Sequence, residues 1–170
     1  DLAYHNLDHI EDCLGKFKNR ENEALDPLGL ELAIWFHDVI YDPRGNDNEE
    51  KSAQRAAEFL MKTKWADSGP ELILATKHQE KPDHLDARLL CDIDLSILGC
   101  NDSKYRKYTK AIRSEYAWVE EIAYRRGRSA VLEGFLKRPF IFSLPTSREL
   151  YEKRARLNIS RELESLNRGD

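Results

Sequence analysis

Apolar residues recur at intervals of three and four along almost the whole chain, and no alternating run of strand length interrupts them. That spacing gathers apolar side chains on one stripe of a helix, so the predicted fold class is all-α. The pattern divides into about eight helices. The first spans 6–17. The second opens at Asp26-Pro27, an N-cap followed by a first-turn proline, and runs to about Tyr41. After the breaker Asp-Pro-Arg-Gly-Asn-Asp-Asn, a third is expected from Asn48 to about Trp65, and Ser68-Gly69-Pro70 starts a short one ending near His78. The next covers Asp83 to Leu98, with Gly99 placed as a left-handed terminator. Two more follow over 103–119 and 120–137, the latter stopped by Arg138-Pro139. Thr146 and Glu149 read as a capping box for the last, which reaches about Leu166. Connections are short and no repeat or linker divides them, so a single-domain helical bundle over residues 1–170 is expected. Trp35, Trp65 and Trp118 are assigned to its core.

Composition narrows the function classes. A net charge of −4 supplies no basic field, so no DNA binding is expected, and an anionic ligand must be held by local cations. No apolar run approaches the ~20 residues that cross a bilayer, so no membrane association is expected. Three cysteines at unrelated spacings, without a CxxC pair, lean towards a reducing, cytoplasmic setting. The chain opens at Asp1 rather than Met, which leaves room for residues upstream. Nothing in the composition bears on oligomeric state.

Polar residues intrude on apolar helices in three places. His5 and His9 stand four apart and share a helix face. His37 and Asp38 interrupt Leu-Ala-Ile-Trp-Phe, and Asp92 and Asp94 interrupt Leu-Leu-Cys-Asp-Ile-Asp-Leu. A buried carboxylate or imidazole without a partner costs several kcal/mol, and such groups pair or coordinate metal. Taken together, an imidazole from the first helix, the His-Asp pair from the second and one later carboxylate form a mixed N/O donor set. Such a set suits a divalent ion, Mn, Mg, Fe, Co, Ni or Zn, with positions left open for water. Taken singly, each intrusion also reads as a surface histidine, a cap or a salt bridge. Arg44, Lys77 and Arg113 are the cations expected near an anionic ligand, and Asn6 is placed to hold a neighbouring imidazole. His84, in a polar stretch beside Asp83 and Asp86, is assigned to solvent.

The segments HNLDH, WFHDVIYDPRGNDNEEKSA, ATKHQ, DIDLSILG and VLEGFLKRP carry a resemblance. With the order His, His-Asp, Asp on successive helices, the chain resembles the HD superfamily of metal-dependent phosphohydrolases, and within it a small bacterial family of predicted metal-dependent phosphohydrolases. YHNLDH and DLS are also similar to segments of the cyclic-nucleotide phosphodiesterases, which share the HD helical core. The resemblance implies His9, His37, Asp38 and Asp94 as metal ligands and His5 as the acid that protonates the leaving oxygen. It further implies an all-α phosphodiesterase-like bundle cleaving a phosphoester of a small phosphorylated metabolite, a nucleotide above all. Asp38 or Asp94 would orient the attacking water.

One position departs from the phosphodiesterase pattern. Tyr41 stands where those enzymes carry a further histidine, and His78 is the residue that would compensate, by holding a second ion or by lining the pocket. Asn6, Tyr41, Arg44, Lys77, His78 and Arg113 are therefore the expected substrate-side residues. The competing expectation is an HD-type module that binds metal or nucleotide without hydrolysis.

Overall fold

A computed structural model describes residues 2–168, and among them helices are present and strands are absent. The all-α expectation holds. Contacts divide the chain into two compact units, 1–94 and 95–170.

The first unit contains α1 (Leu7–Lys18), α2 (Pro27–Phe36), α3 (Asn48–Leu60), α4 (Ser68–Leu74) and α5 (Leu85–Asp94). Asn6 caps α1, its side-chain oxygen accepting from the backbone of Asp8 at 3.0 Å and His9 at 3.3 Å. The helix then buries His9, Ile10, Cys13 and Phe17, a 3.6-residue stripe in which His9 takes an apolar position. At α2, Asp26 accepts from Gly29 N at 3.1 Å and from the Trp65 indole at 2.6 Å. Asp86, itself buried, accepts from the backbone of Leu25 at 2.8 Å and Asp26 at 3.0 Å, which ties the start of α2 to α5. Capping and packing thus fix where α2 begins.

Several helices end sooner than their apolar patterns suggest. α2 stops at Phe36 instead of Tyr41, because the Ser52 hydroxyl both donates to Ile40 O and accepts from Ile40 N, each at 3.1 Å. α3 stops at Leu60, whose carbonyl takes the Thr63 hydroxyl at 2.8 Å. α5 gives way after Asp94 to a tighter 3₁₀ turn, Leu95–Gly99. Trp35 and Trp118, assigned above to the core, are 44% and 52% exposed. Trp35 lies one residue off the buried stripe Leu30, Ala33, Ile34, His37, and about 100° of helical rotation carries it outward.

The second unit contains α6 (Asp102–Glu115), α7 (Glu121–Lys137) and α8 (Lys153–Arg168). A helical turn Pro145–Ser147 and a π-helical turn Arg148–Glu152 lead into α8. Pro145 occupies the first turn and Leu144 the cap, so the expected capping box at Thr146 does not form. Gly99 is not left-handed. A Cβ there would lie 2.5 Å from Tyr151 Cβ, so the glycine permits close approach of two chain segments. Inside this unit Arg128 Nε donates to Glu162 at 2.7 Å, and the Tyr105 hydroxyl donates to the same carboxylate at 2.5 Å. Burial and the Glu162 charge push the Tyr105 hydroxyl well above its ordinary pKa, so it remains a donor.

Two outcomes follow. Asp26→Ala removes a cap and the indole partner, and chemical denaturation should register a loss of about 1–2 kcal/mol. Glu162→Ala leaves the Arg128 guanidinium buried without its carboxylate, a loss of about 3–5 kcal/mol, much of which a paired Arg128→Met, Glu162→Leu replacement should recover.

Candidate metal centre

Three elements bring four polar side chains of the first unit to one point. His9 comes from the first turn of α1, where its backbone N–H donates to the Asn6 cap. His37 and Asp38 follow the last turn of α2, and Asp94 is the last residue of α5. His9 Nε2 lies 3.2 Å from His37 Nε2, 3.2 Å from Asp94 Oδ1 and 3.5 Å from Asp38 Oδ2. His37 Nε2 lies 3.3 Å from Asp38 Oδ2 and 3.8 Å from Asp94 Oδ1. Each carboxylate oxygen therefore faces both ring nitrogens at close range. The two histidines are buried, and both acids retain some access to solvent.

Proton positions follow from the partners. His37 Nδ1 is 2.8 Å from Ile34 O, and a carbonyl only accepts, so Nδ1 carries hydrogen and Nε2 turns to the cluster. Burial pulls the His37 pKa down, but the charge and hydrogen bond of Asp38 prevail and lift it to about 9. Burial likewise opposes ionisation of the acids. The His37 charge nonetheless holds Asp38 below the usual carboxylate range, and hydrogen bonds from His78 and His9 hold Asp94 well below it. The protein alone thus balances two carboxylates with protonated imidazole. A divalent cation would meet the same need with more charge and with all four atoms already oriented, so the residues fit a metal.

Cys13 also belongs to this place. The ligand atoms of His9, Cys13, His37 and Asp94 all lie within 4.8 Å of one another. Its sulfur is 3.9 Å from both His9 ring nitrogens, beside the ring. Burial, then the Asp94 charge, pushes its thiol well above the ordinary value, so in the protein alone it is a neutral neighbour of His9. The i,i+4 spacing of His9 and Cys13 on one helix is the sequence signal for it.

The remaining site residues divide. The His5 ring stacks on Tyr41 with centroids 3.5 Å apart and planes 13° from parallel, and lies 6.2 Å from the His9 ring. It is thus beside the cluster. His78 Nε2 is 2.7 Å from Asp94 Oδ2. Asn6 serves as a helix cap and also donates to Leu2 O at 3.1 Å. Arg44 is exposed in the loop after α2, with its backbone bonded to Asp42. Lys77 forms an ion pair with Glu50. Arg113, in the second unit, donates to Glu121 at 2.9 Å and to Tyr116 O at 2.8 Å, closing the end of α6. Of the two acids in α5, Asp94 joins the cluster, whereas Asp92 is buried and is not part of it. His84 is exposed, as expected.

Comparison with family models, with curated proteins and with solved structures returned no match. No helix of the described residues is long and apolar enough to cross a membrane.

The cluster makes a direct prediction. Titration with Mn²⁺ or Co²⁺ should raise the melting temperature, with about 2.7 kcal/mol of stabilisation at a hundredfold excess over Kd. His37→Ala should abolish the response.

Proposed function

We propose that the chain is an HD-type, metal-dependent phosphohydrolase acting on a small phosphorylated metabolite, with nucleotides the foremost class. The observation that carries this reading is the convergence of His9, His37, Asp38 and Asp94 with a further imidazole, His5, standing just outside it. Those four residues would hold the ion, which when bound lowers the pKa of water and polarises a phosphoryl oxygen.

The chain's own groups divide the proton work. Asp94 gives Oδ2 to His78 and turns Oδ1 to the imidazoles, so both of its oxygens are engaged. Asp38 is then the carboxylate that orients the attacking water and takes up its proton. His5 donates a proton to the departing alkoxide as the P–O bond breaks, and its stack on Tyr41 keeps the ring at the edge of the cluster. In this reading Tyr41 is a platform for the acid.

A second reading has its own support. Lys77 is paired with Glu50 and Arg113 with Glu121, so two of the three cations expected for an anionic substrate are already matched by acids. A binding module that holds metal and a phosphorylated ligand without cleaving it would show this pattern.

A screen of nucleotides and other phosphate esters with Mn²⁺, Co²⁺, Ni²⁺ and Mg²⁺ separates the two. The hydrolase releases phosphate or a nucleoside monophosphate, EDTA stops it, and His5→Ala slows turnover about 10²–10⁴-fold while metal affinity stays within twofold. Ligand-induced stabilisation without product across the panel contradicts the hydrolase and supports the module.

A further inference from the structure

We infer that His78 is a positioning residue that holds Asp94 to a single ligating oxygen, an inference that rests on the metal reading of the cluster. His78 is the one non-glycine among the described residues whose backbone is left-handed, with φ 54° and ψ 20°. That conformation is strained for a residue that carries a Cβ, and residues are kept in it where the surroundings or a function require it.

What the conformation achieves is visible at the side chain. His78 ends the 3₁₀ turn Ala75–Lys77, and its left-handed backbone turns the imidazole back to Asp94. A carboxylate oxygen accepts, so His78 Nε2 carries the hydrogen of the 2.7 Å bond to Asp94 Oδ2. Oδ1 is left facing His9 Nε2 at 3.2 Å and His37 Nε2 at 3.8 Å.

The turn is fastened to the helix that carries the ligand. Cys91, one helical turn before Asp94 on α5, donates its thiol to Ala75 O at 3.2 Å, and the Thr76 hydroxyl donates to Ile73 O at 2.7 Å. His78 and Asp94 therefore move together. With Oδ2 occupied, Asp94 meets a cation through Oδ1 alone, and the carboxylate does not rotate to present both oxygens. A hydrogen bond from a neighbour to a ligating group orients it and typically contributes 10–100-fold in metal affinity. His78 meets Asp94 at Oδ2, on the oxygen other than the one the cluster imidazoles face.

Two variants test this with Mn²⁺ alone as the probe. Asn tolerates the left-handed backbone but falls short of Asp94, whereas Gln keeps a donor of longer reach. His78→Asn should weaken Mn²⁺ binding 10–100-fold at an unchanged stoichiometry of one, and His78→Gln should recover part of the loss. Infrared difference spectra should show the wide carboxylate splitting of a one-oxygen ligand narrowing in His78→Asn. Unchanged affinity, an unchanged splitting, or a stoichiometry falling from two to one overturns the inference, the last by making His78 a ligand itself. If the unaltered protein takes up no Mn²⁺, the metal reading fails first, and the two failures are told apart.

Discussion

Everything in the first unit is arranged around an electrostatic problem, two carboxylates and two imidazoles drawn to one point at separations of 3.2 to 3.8 Å. The charge of Asp94 opposes ionisation of Asp38, and the two acids stay ionised together only with positive charge beside them. A protonated His37 meets that demand in the protein alone, and a divalent cation would meet it more completely. A core made for stability alone would place apolar side chains here, since burying charged pairs rarely stabilises a fold beyond what hydrophobic packing would.

The scaffold earns this arrangement with local devices. The Asn6 cap fixes the start of α1, and so the register of His9. The Ile34 carbonyl fixes which nitrogen of His37 looks inward. Ser52 receives the backbone of Ile40 on both sides, allowing the chain to leave α2 immediately after the His-Asp pair. Asp86 holds the beginning of α2 against α5, the helix that ends in Asp94. Each is a hydrogen bond between a side chain and the backbone, and each positions a cluster residue at a helix end or a cap, where backbone direction can change.

The helical class and the main site residues were legible because they depend on spacing and residue type. Apolar stripes gave the helices and Asp26-Pro27 gave a start; polar residues among apolar ones marked His5 with His9, His37 with Asp38, and Asp92 with Asp94, and the resemblance singled out His9 and Asp94 within their pairs. Helix ends were less legible, since Ser52 and Thr63 act from outside the helices they terminate. The same holds for Cys13, whose nearness to His37 and Asp94 depends on how two other helices pack, and for His78, whose left-handed backbone leaves no mark in a sequence that lacks glycine there. Arg113 shows the opposite error. Its charge suggested an anionic ligand, yet in the fold it closes the end of its own helix on Glu121 and two backbone carbonyls.

Anomalous diffraction from crystals grown with Mn²⁺ bears on the central claim most directly. The account predicts one strong peak at bonding distance from His9 Nε2, His37 Nε2, Asp38 Oδ2 and Asp94 Oδ1, with His78 still on Asp94 Oδ2. A cluster without a peak in crystals that hold Mn²⁺ elsewhere, or with those side chains turned apart, would contradict it.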